Sequence, residues 1–234
     1  EDKIIKFENF KKDFLNKNFQ NIVIKNIWEL IDEFNISTKV INDLFDGINS
    51  DIKERVELKS KKELLIYSYR VAGTVGLMMA KILKVNKTNS LKSAIDLGIA
   101  MQLTNISRDV IEDKNNKRIY INENFNDIES TISLSEKFYE NSFYSIKEIP
   151  LSFRFSILVA RRVYRKIGHK IINKNNLENY KNSGKIYVTK IEKIIETFLS
   201  IFDLIILTFT NKNDNNIEHD HSLINEEINL NERF

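Results

Sequence analysis

Cysteine is absent from the 234 residues, and histidine occurs only three times. The absence of cysteine excludes disulfide bonds, thiolate nucleophiles, cysteine-ligated zinc and iron–sulfur clusters. With so few histidines, the sequence also argues against a Ser-His-Asp triad or a histidine-rich metal centre. Any chemistry has to depend on other oxygen- and nitrogen-bearing side chains.

Proline and glycine are also scarce, with one proline and six glycines. Average usage would give about 12 prolines and about 16 glycines in a chain of this length. A β-rich protein needs both residues at its many turns. Their scarcity favours long helices joined by few polar loops, and we predict an all-α fold.

No strong charge imbalance and no long hydrophobic run is present. Lys plus Arg is 36 and Asp plus Glu is 33, a formal net charge of +3, which is too mild to indicate a nucleic-acid partner. The most apolar run, residues 198–210, contains Asp203 and is shorter than the roughly 20 residues of a membrane span. It predicts a core helix, with an interfacial helix on lipid as the alternative.

Apolar residues recur at helical spacing over most of the chain. We predict helices in residues 4–34, 40–52, 59–83, 91–112, 134–146, 153–172 and 187–209. Residues 1–210 therefore form one helical domain, and the Asn-, Asp- and Glu-rich residues 211–234 are predicted to be a disordered polar tail.

Two polar groups outside the main pattern have ordinary interpretations. We interpret His219-Asp220-His221 as part of the exposed tail, with a surface metal chelate as the weaker alternative. A run of basic residues predicts a solvated helix face, with contact to anionic lipid as the alternative. This run consists of Arg161, Arg162, Arg165 and Lys166.

The most informative segment is QLTNISRDVIED at residues 102–113. At about 100° per residue, Gln102, Asn105, Asp109 and Asp113 share one helical stripe about 80° wide. The remaining positions are mostly apolar, which is typical of a buried helix. Two carboxylates facing a protein interior need neutralising, and their oxygen atoms suit Mg²⁺. A salt-bridged stripe, with Arg108 and Lys114 as local partners, is the alternative.

A second unusual segment is YSYRVAGTVG at residues 67–76, where Gly73 and Gly76 lie inside a predicted helix. Glycine in a helix costs up to about 1 kcal/mol relative to alanine. It indicates a kink, or a close approach by a ligand or by another backbone. Tight helix–helix packing is the simpler of these interpretations.

These two segments together resemble the squalene and phytoene synthases, which join prenyl diphosphates head to head. The matching stretches are YSYRVAGTVGLM at 67–78 and LGIAMQLTNISRDVIEDKNNKRIYI at 97–121. Weaker similarity extends through LFDGINSDI at 44–52, VYRKI at 163–167 and GKIYVTK at 184–190. The segment VAGTVGLM is most similar to the corresponding segment of the phytoene synthases. The resemblance implies a single-domain, all-α isoprenoid-synthase bundle around a central cavity.

The resemblance also implies a reaction and its residues. Mg²⁺, or alternatively Mn²⁺, would lie on Asn105, Asp109 and Asp113 and promote loss of an allylic diphosphate. The resulting cation would alkylate a second prenyl diphosphate to a cyclopropylcarbinyl diphosphate, which then rearranges to the C1–C1′ linked hydrocarbon. Asp109, Asp113 and Arg108 are the expected catalytic residues. The expected substrate-binding residues are Tyr67, Val71, Ala72, Val75, Gly76, Gln102, Asn105, Arg118 and Tyr164.

Two departures from the family pattern are visible. The first aspartate motif of the family, a D-x-x-x-D on an earlier helix, has no match in this sequence. We therefore expect that motif before residue 1 and expect the chain alone to be inactive. Asn122 stands where the family commonly has proline, which affects loop geometry rather than the reaction.

The sequence leaves the substrate open. Phytoene formation from two geranylgeranyl diphosphates is the first hypothesis, and squalene or dehydrosqualene formation from farnesyl diphosphate is the second, with NADPH required only for squalene. A non-catalytic assembly or scaffold protein is the hypothesis of another class. We expect a monomer or weak dimer in the cytoplasm, with peripheral contact to the inner face of the membrane as a further expectation.

Overall fold

The computed structural model describes residues 2–210 and 219–234, which are predominantly helical. A two-residue parallel bridge joins β1 (Val56–Glu57) to β2 (Arg118–Ile119). The all-α prediction is confirmed. The α-helices are α1 (Asp2–Leu15), α2 (Ile22–Glu33), α3 (Thr38–Asp51), α4 (Lys61–Ser68), α5 (Thr74–Ile82), α6 (Thr88–Asn115), α7 (Phe125–Phe143), α8 (Leu151–Ile172), α9 (Leu177–Asn182), α10 (Lys190–Phe209) and α11 (Ser222–Asn225).

Side-chain caps decide where several predicted helices begin or break. The segment predicted at 4–34 is two helices, because Lys17 adopts a left-handed φ of 52° and Asn21 caps α2. Asn124 accepts a hydrogen bond from the backbone N–H of Asp127, so α7 begins nine residues earlier than the apolar spacing indicated. A capping box between Thr189 and Glu192 starts α10. Polar caps thus set ends that the hydrophobic period alone does not define.

Helix α6 is the central element, packed against α5, α7 and α8. Ile95, Ile99 and Leu103 on this helix have no exposed surface. Its apolar residues face neighbours on several sides, as the nearly all-round apolar pattern predicted. These buried positions anchor the middle of the helix in the core.

The segment predicted as one helix at 59–83 is interrupted by a π-helical turn, Tyr69–Gly73, between α4 and α5. Such turns are frequent at functional sites. The glycines around it allow two backbones to approach. A Cβ on Gly76 would lie 2.1 Å from the Ala94 carbonyl oxygen, and one on Gly98 would lie 2.3 Å from that of Ala72. Close helix–helix packing therefore accounts for these glycines.

Helix α10 turns its polar side inward, so the prediction of a core helix at 198–210 is wrong. Glu196 and Asp203 are buried, whereas the exposed fractions of Phe198, Phe202 and Phe209 are 64%, 61% and 81%. The physical reason is the Arg162 guanidinium of α8, which binds both carboxylates and needs them on the inner face. None of the described helices is long and apolar enough to cross a bilayer.

The basic run on α8 is not the solvated face that the sequence predicted. Arg161 is buried and donates two hydrogen bonds to the Tyr139 carbonyl oxygen, at 3.1 and 3.0 Å. Arg165 is paired with Glu136, and Arg162 is paired with the carboxylates of α10. Because these guanidinium groups hold α7 and α10 against α8, they are not available as a continuous basic surface.

The C-terminal residues 219–234 differ from the disordered tail that the sequence predicted, whereas residues 211–218 lie outside the described part of the chain. Ile224, Ile228 and Leu230 are buried in the main core. Arg233 forms two hydrogen bonds with the buried Asp43 carboxylate, at 2.9 and 3.0 Å. A few apolar residues spaced among polar ones are sufficient to fold this segment onto α3 and α4, although its average composition is polar.

Candidate active site

The stripe on the C-terminal half of α6 is the starting point of the site. Gln102, Asn105, Asp109 and Asp113 are each partly exposed, whereas the positions between them include the buried Leu103, Ile106 and Val110. The structure thus shows a polar strip beside packed apolar residues as far as Val110, whereas Glu112 and Lys114 in the last turns of the helix are exposed. Such a strip differs from the broad solvated face of an ordinary amphipathic helix.

Asp109 is held by cations on its own helix and on a loop. The Arg108 guanidinium donates from Nε and a terminal nitrogen to the two Asp109 carboxylate oxygens, at 2.8 and 2.5 Å. Lys185 lies 3.6 Å from the same carboxylate. The salt-bridged alternative is therefore present at Asp109, but its second expected partner, Lys114, is paired with Glu123 instead.

Asp113 lacks comparable neutralisation. Burial, together with the negative charges of Asp109 and Glu112, raises the pKa of its carboxyl to about 6, and Arg118 only partly opposes this shift. A half-buried carboxyl whose pKa is raised by neighbouring negative charges is in an electrostatic environment that favours an added cation. The donor set of Asn105, Asp109 and Asp113 consists of hard oxygen atoms one helical turn apart, and it fits Mg²⁺ or Mn²⁺.

A tyrosine–aspartate cluster lies next to Asp113. The Tyr67 hydroxyl donates to Asp51 at 2.8 Å, the Tyr120 hydroxyl donates to the same oxygen at 3.1 Å, and the two rings are stacked. Arg118 donates to the Asp51 backbone carbonyl. The sequence indicated Tyr67 and Arg118 but missed Asp51 and Tyr120. Tyr120 could have been found from its place beside Arg118, whereas no local signal distinguishes Asp51.

Two hollows adjoin the polar strip. A small one of about 160 Å³ is bounded by Asp113, Arg118 and Tyr120 among others. A larger, mainly apolar cavity of about 410 Å³ lies between α5, α6 and α8. A cavity of this size and lining is typical of a small-molecule site. The polar strip thus joins a charged hollow to an apolar one.

Most of the residues expected to bind substrate line the larger cavity. Gln102 and Asn105 supply polar groups to its wall. Met79, Met101 and Ile157 also line it and were not singled out from the sequence, because apolar residues at helical spacing look the same in a core and in a cavity. Tyr67 and Arg118 are not among its lining residues. The expected residues that do line it are Val71, Ala72, Val75, Gly76, Gln102, Asn105 and Tyr164.

The fold and the site together define a helical protein of the isoprenoid-synthase type. A solved dehydrosqualene synthase, determined in complex with a ligand, superposes with a TM-score of 0.68 at 27% sequence identity, covering 85% of this chain and 77% of that protein. The family model for squalene/phytoene synthase matches residues 8–126. The chain belongs to the squalene/phytoene synthase family.

Curated relatives agree with this assignment. The 15-cis-phytoene synthase of Enterobacter agglomerans is 35% identical over 147 residues, which cover 54% of this chain and 50% of that protein. The 15-cis-phytoene synthase of a Paracoccus species is 34% identical over 170 residues, covering 65% and 55%. Phytoene synthase 1 of Solanum lycopersicum is 27% identical over 217 residues, covering 81% and 52%. The chain spans about half the length of these relatives.

Proposed function

We propose that this chain belongs to a phytoene synthase-like prenyltransferase, which condenses two geranylgeranyl diphosphates head to head. The single observation that carries the proposal is the polar strip of α6, which connects the charged hollow at Asp113 with the apolar cavity at Gln102 and Asn105. A substrate with a charged head and a long apolar tail matches this arrangement. The similarity to phytoene synthases supports the same reaction.

The metal chemistry is proposed from the donor set. Asn105, Asp109 and Asp113 would hold Mg²⁺ or Mn²⁺, which would supply charge neutralisation to a departing diphosphate. Arg108 and Arg118, whose guanidinium groups lie beside these carboxylates, would donate hydrogen bonds to phosphate oxygens. The residues of the strip would thus orient the diphosphate next to the cavity.

The apolar cavity has a separate role in the proposed reaction. An allylic cation reacts with water unless water is excluded, and the walls formed by Val71, Val75 and Met79 are apolar. The C1–C1′ skeleton forms in two stages, each releasing one diphosphate and one proton, through a cyclopropylcarbinyl diphosphate. Gln102, Asn105 and Tyr164, which are among the polar residues lining the cavity, would contact the reacting end.

Product analysis tests the proposal. Geranylgeranyl and farnesyl diphosphate are each incubated with the protein and Mg²⁺, with and without NADPH, and the hydrocarbons are separated by chromatography. We expect a C40 product from geranylgeranyl diphosphate without NADPH. A C30 product would instead support squalene or dehydrosqualene synthesis. Release of no hydrocarbon by a folded protein that includes any sequence encoded before residue 1 would support the scaffold hypothesis.

Replacement of Asp109 tests the assigned residues. Asp109→Asn is expected to lower turnover by orders of magnitude while the circular dichroism spectrum and melting temperature stay close to those of the wild type. Asp32→Asn is the matched control, because it makes the same chemical change at a residue that is exposed on α2, away from the candidate site. Near-normal turnover of Asp109→Asn at saturating Mg²⁺ would contradict the role. The expected inactivity of the isolated chain stays a prediction, checked by the same assay.

Localisation and association also stay predictions. A monomer or weak dimer is expected, and sedimentation equilibrium measures it. The proposed peripheral contact with the inner face of the membrane is supported by the exposed apolar residues of α10, among them Phe198, Phe202 and Phe209. Apolar side chains on one face of a helix are typical of interfacial binding.

A further inference from the structure

Two of the three histidines in the sequence converge on one buried aspartate of α6. Nδ1 of His219 lies 2.6 Å from one carboxylate oxygen of Asp96, and Nε2 of His221 lies 2.5 Å from the other. The exposed fractions of the three side chains are 0% for Asp96, 4% for His219 and 3% for His221. The sequence favoured an exposed tail here, with a surface chelate of His219, Asp220 and His221 as the weaker alternative. In the structure Asp220 accepts a hydrogen bond from the Ser222 hydroxyl instead.

The cluster is separate from the strip on the same helix. Asp96 precedes Asp109 by about 20 Å along the helix axis and lies about 140° around it, at 1.5 Å and 100° per residue. It is also not among the residues lining the large cavity. The cluster therefore needs an explanation of its own.

Direct hydrogen bonding does not account for every polar atom of the cluster. A fully buried carboxylate needs a compensating charge or several donors. Within residues 2–210 and 219–234, the ion-pair partners of Asp96 are these two histidines. Nε2 of His219 is buried without a hydrogen-bond partner in the same residues. This nitrogen is not the one that contacts Asp96, so the atoms that converge in the cluster are Nδ1 of His219, Nε2 of His221 and the two Asp96 carboxylate oxygens.

The donor set fits a divalent transition metal. Two imidazole nitrogens and one carboxylate oxygen lie within 4.8 Å of one another. Such nitrogen-rich sets suit Zn²⁺ and neighbouring metals rather than Mg²⁺. Metal–ligand bonds of about 2.0–2.2 Å place the ligand atoms of a tetrahedral site roughly 3.3–3.6 Å apart. Each contact between Asp96 and a histidine would therefore lengthen by about 1 Å, and the three ligand atoms, now within 4.8 Å of one another, would adjust to that spacing. We propose that Asp96, His219 and His221 bind a divalent transition metal, with Zn²⁺ as the expected ion.

The proposed site fastens the C-terminal segment to the centre of the fold. His219 and His221 are followed directly by α11 and by the buried Ile224 and Ile228. A metal that binds only the folded state stabilises it by mass action. The site would thus act structurally, coupling metal supply to the anchoring of residues 219–234 on α6.

Metal binding to the purified chain tests the inference. Metals are first removed from the protein with a chelator. The protein is then titrated with Zn²⁺ and, in a separate experiment, with Co²⁺. Both titrations are carried out in excess Mg²⁺, because Mg²⁺ occupies carboxylate sites elsewhere on the protein. We expect one ion per chain, a tetrahedral Co²⁺ absorption spectrum and a higher melting temperature with Zn²⁺. His221→Ala and Asp96→Asn should each weaken binding at least tenfold. His169→Ala is the control, because His169 is exposed on α8, and its affinity should equal that of the wild type.

Two results would overturn the inference. The first is a wild type that binds Zn²⁺ no more tightly than His221→Ala does. The second is a bound Co²⁺ whose spectrum is octahedral, since that indicates a water- and carboxylate-rich site elsewhere. Both would identify the cluster as a hydrogen-bonded contact only. Because the Co²⁺ spectrum is recorded on the wild-type protein, this second result does not depend on the folding of any variant.

Discussion

Replacing Asp113 with asparagine is expected to stabilise the protein above pH 6 and to have little effect near pH 4. Burial and the neighbouring carboxylates raise the pKa of Asp113 from 3.8 to about 6. Between these two values the folded state keeps a proton that the unfolded state has lost, so stability falls as the pH rises through this window. Asparagine removes the charge that causes this loss.

The magnitude follows from the size of the shift. At about 1.4 kcal/mol per unit, the shift corresponds to an upper limit of about 3 kcal/mol. Asp113 is only partly buried, and solvent screening reduces the expected gain to about 1–2 kcal/mol. At pH 4 the protonated carboxyl and the amide are similar in shape and charge, and the two proteins should unfold alike.

Urea denaturation at pH 4 and pH 8 measures the effect as a free energy of unfolding. Asp32→Asn is the matched control, because Asp32 is exposed on α2 and should change stability by less than about 0.5 kcal/mol at either pH. An Asp113→Asn protein that is less stable than the wild type at pH 8, or equally stabilised at both pH values, would refute the electrostatic reasoning.

Three further outcomes are expected. Gly76→Ala should destabilise the protein by about 2 kcal/mol or more, because the added Cβ would lie 2.1 Å from a backbone carbonyl oxygen. Gly168→Ala should be neutral or stabilising, because its Cβ would meet only side-chain methyl groups at 3.4 and 3.5 Å. Thermal melts of the two variants measure the sign of each change in stability. Tyr67→Phe should lower stability by about 1 kcal/mol through loss of its buried hydroxyl bonds, measured by denaturant titration. The double variant Phe198→Ser/Phe202→Ser should reduce co-sedimentation with anionic vesicles, and unchanged binding would exclude α10 as the contact.

The helical class and the position of the polar strip could be predicted from the sequence because both depend on local periodicity. The spacing of Gln102, Asn105, Asp109 and Asp113 places them on one stripe in any straight helix, whatever surrounds it. The glycines at 73 and 76 likewise indicated a close backbone approach before any partner was known. Family resemblance then added the cavity residues.

Contacts between distant segments could not be predicted in this way. Asp51 and Tyr120 meet beside Asp113 only because the chain at and after β2 lies against the end of α3, where Arg118 also donates to the Asp51 carbonyl. The inner face of α10 is decided by Arg162 on another helix, which outweighs the apolar character of the run.

The sequence by itself determined which residues share a face of each helix, because the direction of a side chain on a helix follows from its position alone. The tertiary structure decided which of those faces is buried and what it touches. The clearest case is the C-terminal segment, whose polar composition predicted disorder. His221 and Ile224 are nevertheless buried, because their partners, Asp96 and helix α4, lie more than a hundred residues earlier in the chain, where composition of the segment alone cannot reveal them.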